Sequence, residues 1–224
     1  MRDSAAVAPF AIDMRCRPHD LLRLRRLPHA DDEPSWLRDA WARAPFAVVR
    51  RSPAADGFVA IGVRGATRAQ RYGTWATSAD IEQRIAPEHL VNEAPYPHRH
   101  DLPVFAALAL LLRDAVCLRQ FAWGPTGSVG FELGTNQPTV NASSDLDLLI
   151  RTPGPLTLAD AQHLFDELQH AAQRAGTRID AQLETPAGGV ALAEYAAGKL
   201  RVLARDANGP QLVDDPWHPL RSTA

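Results

Sequence analysis

Two short stretches in the C-terminal half of the chain set polar side chains on one side of an extended segment and apolar ones on the other. In Ser144-Asp-Leu-Asp-Leu-Leu-Ile150, Leu146, Leu148 and Ile150 fall on one side of an extended segment. Asp145 and Asp147 fall on the other, because side chains at i and i+2 share a face of a strand. In Arg178-Ile-Asp-Ala-Gln-Leu183, Ile179, Ala181 and Leu183 alternate with Arg178, Asp180 and Gln182 in the same way. Between them the period changes. Leu164, Phe165, Leu168 and Ala172 recur at helical spacing, Thr157 with Asp160 three residues on forms an N-terminal cap, and Gly176 stands where the helix stops. The order strand, helix, strand brings Asp180 beside the other two carboxylates if the two strands are neighbours.

The same reading extends along the chain. Residues 1 to about 15 read as a loose arm, and Asp20 to Leu24 as a short helix. Ser35 reads as the cap of a helix with Trp36, Leu37, Ala40 and Trp41 on one face. Phe46 to Arg51 and Phe58 to Arg64 read as strands, joined as a hairpin by Pro53-Ala-Ala-Asp-Gly57. Ser78 reads as the cap of a helix through Arg84. Asn92 to Asp101, rich in proline and charge, reads as a linker. Asp101 then caps an apolar helix from Pro103 to Leu118, with proline in its first turn, and Arg119 to Trp123 is a strand leading into a glycine turn. After Asp180, Val190 to Ala197 reads as a short helix opened by Gly188-Gly189 and closed by Gly198, with strands at Leu200 to Arg205 and Gln211 to Val213. The fold class expected is α+β, a smaller domain over 1–95 preceding a larger one over 96–224.

The chain has 224 residues and a formal net charge of -2, so its charge does not call for nucleic acid as a partner. Nearly all positive charge is arginine, Lys199 being the one lysine. Cys16 and Cys117 lie far apart without metal-ligand spacing and read as free thiols of a reducing compartment. The longest apolar run, Leu102 to Leu112, is too short to span a bilayer, and the N-terminus has no apolar signal core. The expected location is cytoplasmic, with no membrane contact. His98 and His100 lack companions at metal spacing and read as surface residues.

The chemistry concentrates where the patterns meet. Adjacent carboxylates repel, and a divalent cation between them relieves the repulsion. The turn Gly124-Pro-Thr-Gly-Ser128 supplies a glycine and a hydroxyl through which backbone amides can approach phosphate oxygens. A metal site beside a phosphate cradle suggests phosphoryl or nucleotidyl transfer. Asp145, Asp147 and Asp180 are the catalytic and metal-ligating candidates, magnesium the expected cation, and Gly127 and Ser128 the phosphate-holding pair. Arg64, Arg68 and Arg71 follow at spacings of four and three; on a helix they share a face, either solvated or turned to a ligand's phosphates. Lys199 and Arg201 have two readings, contacts to the same phosphates or ordinary strand-end charges.

This constellation resembles the nucleotidyltransferase superfamily typified by DNA polymerase beta: a Gly-Ser turn opening a helix, an Asp-x-Asp strand and a third acidic strand. The gap from Ser128 to Asp145 is long for that pattern and points to an insertion around Gly134 to Pro138. Trp123 to Leu133, Ser144 to Leu149 and the run Arg178-Ile-Asp-Ala-Gln-Leu-Glu-Thr-Pro-Ala-Gly-Gly-Val190 together resemble the malonate decarboxylase holo-acyl-carrier-protein synthase family. Arg17 to Leu22 and Gly62 to Tyr72 extend the likeness into the N-terminal half. The resemblance implies a polymerase-beta-like nucleotidyltransferase domain behind the smaller α+β domain. It also implies transfer of a phosphoribosyl-dephospho-CoA group from 2'-(5''-triphosphoribosyl)-3'-dephospho-CoA to a serine of the acyl-carrier subunit of malonate decarboxylase, with release of pyrophosphate. An adenylyltransferase using ATP, or a non-catalytic carrier-protein or nucleotide-binding module, are the alternatives.

Overall fold

The computed structural model describes residues 16–67 and 69–218. The arm expected over 1–15 and Arg68 lie outside the described residues. The N-terminal part is an antiparallel sheet of β1 (Leu21–Leu24), β2 (Phe46–Val49), β3 (Phe58–Arg64), β4 (Arg71–Thr77) and β5 (Ile81–Ile85) in the order β4-β3-β2-β1-β5. Helix α1 (Leu37–Arg43) packs against it. One face of this sheet, with Leu22, Val49, Ile61, Val63 and Ala76, forms its own apolar core with Leu37 of α1. The hairpin expected around Pro53 to Gly57 is present, with Val48 opposite Gly62.

Three N-terminal expectations are overturned. Asp20 to Leu24 is not a helix: Leu21, Leu22 and Leu24 are buried on both faces of β1, which lies between β2 and β5. Strand partners on both sides satisfy its backbone, which no isolated five-residue helix can do. The helix expected from Ser78 to Arg84 is a single turn, Ser78–Asp80, running into β5. Asp80 folds back to accept hydrogen bonds from the Thr77 amide at 2.9 Å and hydroxyl at 2.7 Å, closing that turn. Ser35 caps nothing; α1 follows Trp36 without a side-chain cap.

The larger part is a mixed sheet of six strands. Its elements in chain order are α2 (Pro103–Asp114), β6 (Ala122–Pro125), α3 (Gly127–Thr135), β7 (Leu146–Arg151), α4 (Leu158–Ala175), β8 (Ile179–Thr185), β9 (Gly188–Ala191), α5 (Leu192–Ala196), β10 (Val202–Asp206) and β11 (Gly209–Val213). The strand order is β11-β10-β9-β8-β7-β6, and only β7 and β8 run parallel. Their connection is α4, as a parallel pair requires a crossover. Helix α4 begins where expected: the Thr157 hydroxyl accepts from the Asp160 amide at 3.1 Å, and Gly176 ends it at φ 69°. Leu164 and Leu168 of α4, Leu108 and Leu111 of α2, and Val129 and Leu133 of α3 cover Leu146, Leu148 and Ile150 on the core face of β7.

Other boundaries shift. Helix α2 stops at Asp114 and starts after Leu102, not on an Asp101 cap. Gly188-Gly189 belongs to β9, and the helix follows it. The segment expected as an insertion is the C-terminal turn of α3 and the return to β7. Buried Glu132 organises it. Its carboxylate accepts the Thr139 and Val140 amides at 2.7 and 2.8 Å and pairs with Arg99, whose Nη2 lies 2.9 Å from Oε2. Burial pushes this carboxyl up, but Arg99 and the two amides prevail and leave it below the ordinary glutamate range.

The two sheets meet through α3 and a line of ion pairs. Phe131 of α3 packs on Leu21, Phe46 and Val48, the face of the first sheet opposite its own core. Arg51 makes a bidentate pair with Glu184 of β8 at 2.7 and 2.6 Å, and Arg151 of β7 pairs with Glu88 at 2.6 Å and approaches buried Asp20 at 3.5 Å. Gly124 is required there: a Cβ would overlap the Pro87 carbonyl. Among the described residues no helix is long and apolar enough to cross a membrane.

Candidate active site

The parallel pairing of β7 and β8 decides the site. Its register places Asp147 directly opposite Asp180. Asp145 stands one residue before β7, on the same side as Asp147. One carboxylate oxygen from each of the three residues lies within 4.8 Å of the other two. Asp145 and Asp147 are half-buried and Asp180 is exposed, so the group opens to solvent while its strands are rooted in the core.

The glycine turn closes over this cluster. The Thr126 amide donates to the Asp147 carbonyl at 2.8 Å, tying the end of β6 to β7. Gly127 follows at φ 58°, and a Cβ there would overlap the Asp147 carboxylate. Only glycine lets the first residue of α3 sit against that side chain. Ser128 is half-buried in the first turn of α3, and its carbonyl accepts from the Thr139 hydroxyl at 3.0 Å. The first amides of a helix have no partner within it, and here the helix starts at Gly127, against the Asp147 carboxylate.

Arg178, one residue before β8, is a counter-ion of the cluster. Its Nη2 lies 2.9 Å from Asp180 and also pairs with Asp145. Asp180 and then Asp145 hold the guanidinium above its ordinary value. Three carboxylates that bring their oxygens together in this way form a set of hard donors, which fits a hard divalent cation.

The other predicted ligand contacts are dispersed. Arg64 and Arg71 are not on a helix; they end β3 and begin β4 and face each other across the hairpin. Helical spacing of three and four also fits a tight hairpin whose ends are directly opposed. Lys199 pairs with Glu194 at 3.5 Å, and Arg201 with Asp214 at 3.1 Å and the Leu212 carbonyl at 2.9 Å. Among the described residues, the partners of Lys199 and Arg201 are these and not the carboxylate cluster.

Further along β8, Gln182 and Glu184 continue the face that carries Asp180, and the first sheet reaches them through His19 and Arg51. His19 adopts φ 72°. Its Nε2 lies 3.1 Å from Gln182 Nε2 and 3.4 Å from Arg51 Nη2, both of which are donors. His19 Nε2 is therefore an acceptor and the ring neutral. Burial, then Arg51, hold its imidazole below the ordinary histidine range. The signal for His19 was present in the Arg17 to Leu22 run, but nothing local marks which strand it meets.

Comparison with known proteins finds likeness across both parts of the chain. The family model for the phosphoribosyl-dephospho-CoA transferase MdcG C-terminal domain matches residues 90–216, and that for the N-terminal domain matches residues 17–87. A phosphoribosyl-dephospho-CoA transferase of Pseudomonas putida is 45% identical over 206 residues, covering 90% of this chain and 95% of the relative. Those of Pseudomonas aeruginosa, 44% identical over 201 residues, and Azotobacter vinelandii, 41% over 205, cover 89% and 90% of this chain and 93% and 94% of themselves. No solved structure matches it. Likeness of this depth, running through both parts and over the carboxylate strands alike, means that the chain belongs to the phosphoribosyl-dephospho-CoA transferase MdcG family.

Proposed function

We propose that this protein transfers the phosphoribosyl-dephospho-CoA group of 2'-(5''-triphosphoribosyl)-3'-dephospho-CoA to a serine hydroxyl on the acyl-carrier subunit of malonate decarboxylase. Membership of the family supports the reaction. The observation that carries the site is the convergence of Asp145, Asp147 and Asp180 within 4.8 Å, with Gly127 at the start of α3 against Asp147. In the reaction the serine oxygen attacks the α-phosphorus of the donor. The new oxygen–phosphorus bond replaces the bond to the bridging oxygen, and pyrophosphate leaves with that electron pair.

Asp145 and Asp147 would hold the divalent cation, magnesium by the preference of hard ions for oxygen ligands, and Asp180 completes the set. When bound, magnesium supplies charge neutralisation at the reacting phosphate and the leaving group. Asp180, the most exposed of the three, also accepts the proton of the attacking hydroxyl. The amides at Gly127 and Ser128 and the Ser128 hydroxyl hold the outer phosphate oxygens. Arg64, Arg68, Lys199 and Arg201 act on the same donor from further out. In this reading residues 96–224 form a polymerase-beta-like nucleotidyltransferase domain and 1–95 a domain flanking its cleft. The protein then works in the cytoplasm.

Mass spectrometry of the purified apo carrier subunit after incubation with this protein and the triphosphoribosyl donor tests the proposal. A mass gain equal to one phosphoribosyl-dephospho-CoA arm is expected. A gain equal to an adenylyl group, seen with ATP instead, would replace the proposal with an adenylyltransferase.

A further inference from the structure

A cavity of about 410 Å³ lies where the ends of β2 and β3 meet the ends of β8 and β9. Arg50, Ser52 and Phe58 line it from the first sheet, and Glu184, Gly188 and Asp206 from the second. Two of its charges are already satisfied. Glu184 is held by Arg51 in the bidentate pair described above, and Asp206 is turned into its own hairpin, accepting from the Asn208 amide at 2.8 Å. Arg50 is different. It is exposed, and among the described residues its guanidinium has no acidic partner and donates no hydrogen bond.

The chain nevertheless fixes where Arg50 lies. Gly62 and Gly73 are cross-strand partners on β3 and β4, on the sheet face that carries Arg50. A Cβ on Gly62 would fall 3.2 Å from Arg50 Cδ, and one on Gly73 would overlap the guanidinium. Neither glycine has a positive φ, so neither is needed for backbone conformation. What the pair provides is a trough in which a long side chain lies flat. An arginine laid in a built groove without a carboxylate, at the edge of a cavity, is equipped for an oxyanion, because the guanidinium fork matches phosphate geometry.

Position relative to the reacting centre selects which anion. Asp180, Gln182 and Glu184 occupy one face of β8, and Glu184 lines the cavity. Four residues of strand place the cavity about 13 Å from Asp180. Three phosphates in a row are shorter than that. In the proposed donor, a ribose and an adenosine separate the triphosphate from the diphosphate of the dephospho-CoA arm. We infer that the cavity bounded by Arg50 and the Gly62–Gly73 trough is a second anion subsite that takes the diphosphate of the dephospho-CoA arm while the triphosphate end lies at the carboxylates. This rests on the donor assigned above.

Titration calorimetry with dephospho-CoA, which lacks the triphosphate, tests it without turnover. Wild-type protein binds dephospho-CoA without added metal. Arg50→Ala weakens that binding roughly tenfold or more, the scale of a lost charge-assisted hydrogen bond. Gly73→Ala weakens it too, since the new methyl group displaces the guanidinium, and does so without removing any charge. Binding of inorganic tripolyphosphate with magnesium stays at the wild-type value in both variants. Failure of dephospho-CoA to bind wild type, or unchanged affinity in both variants, overturns the subsite. So does loss of affinity in the variants for the apo carrier subunit instead of for dephospho-CoA. The same preparations are assayed for carrier modification: wild type that modifies the carrier while the variants retain dephospho-CoA affinity refutes the subsite alone. Wild type that does not modify it refutes the donor assignment, and the subsite with it.

Discussion

Replacing Gly127 by alanine separates the two demands that the start of α3 makes on its first residue. The first is conformational. At φ 58° an L-residue carries a penalty of about 1–2 kcal/mol. For a chain of this size about 2–4 °C of melting temperature accompanies each kcal/mol, so a loss of about 2–8 °C is expected. The second is steric. The added Cβ would lie 2.9 Å from Asp147 Cγ and 3.1 Å from Asp147 Cβ, so the carboxylate must swing away or the helix start must shift. Gly57→Ala isolates the first demand: Gly57 has φ 81° and nothing within 4 Å of the added methyl group, in a turn remote from the carboxylates. Gly127→Ala should lose at least as much stability as Gly57→Ala in denaturant and thermal unfolding. Only Gly127→Ala should lose affinity for manganese or magnesium by titration calorimetry, by about tenfold or more, or about 1.4 kcal/mol, and lose turnover with it. Metal affinity and turnover in Gly127→Ala equal to those of Gly57→Ala would refute the placement of Asp147 in a metal site.

Asp147→Asn should reduce carrier modification by orders of magnitude, because charge neutralisation by the cation contributes several kcal/mol, while its melting temperature stays near wild type; near-normal turnover in saturating magnesium would remove Asp147 from the mechanism. Glu132→Ala should cost about 3–5 kcal/mol in urea unfolding, since it strands Arg99 and two amides in a largely buried site; a loss below about 1 kcal/mol would show that the return loop is held by something else. The His19 imidazole has a lowered value in the folded protein, so the unfolded chain takes up a proton that the folded one refuses. Stability should therefore fall as pH drops from about 6.5 toward that lower value, and His19→Asn, which tolerates positive φ, should flatten the slope of the urea midpoint across this window. The Cys117 thiol donates to Glu167 at 2.5 Å and is pushed up to about 12, by burial first and then by Glu167; alkylation by iodoacetamide at pH 8 should be far slower than in Glu167→Gln, and equal rates would discard that hydrogen bond.

How much of this was legible in the sequence depends on the range of the forces concerned. Thr157, Asp160 and Gly176 fixed the limits of α4 in advance, because a cap and a left-handed stop act within one turn of chain. Asp145 and Asp147 could be placed on one face, and Asp180 on the polar face of its own strand, because side-chain alternation is a property of the backbone. Tertiary structure decided where long-range partners compete with local preference. Asp20 to Leu24 has the composition of a helical turn, yet it is a strand because β2 and β5 flank it and both its faces are buried. Arg64 and Arg71 keep a helical spacing while facing each other across a hairpin. The parallel register that sets Asp147 beside Asp180, the bridging of two carboxylates by Arg178, and the flat course of Arg50 over Gly62 and Gly73 have no local signature. Each depends on which strand lies next to which, and that is settled by burial summed over the whole chain.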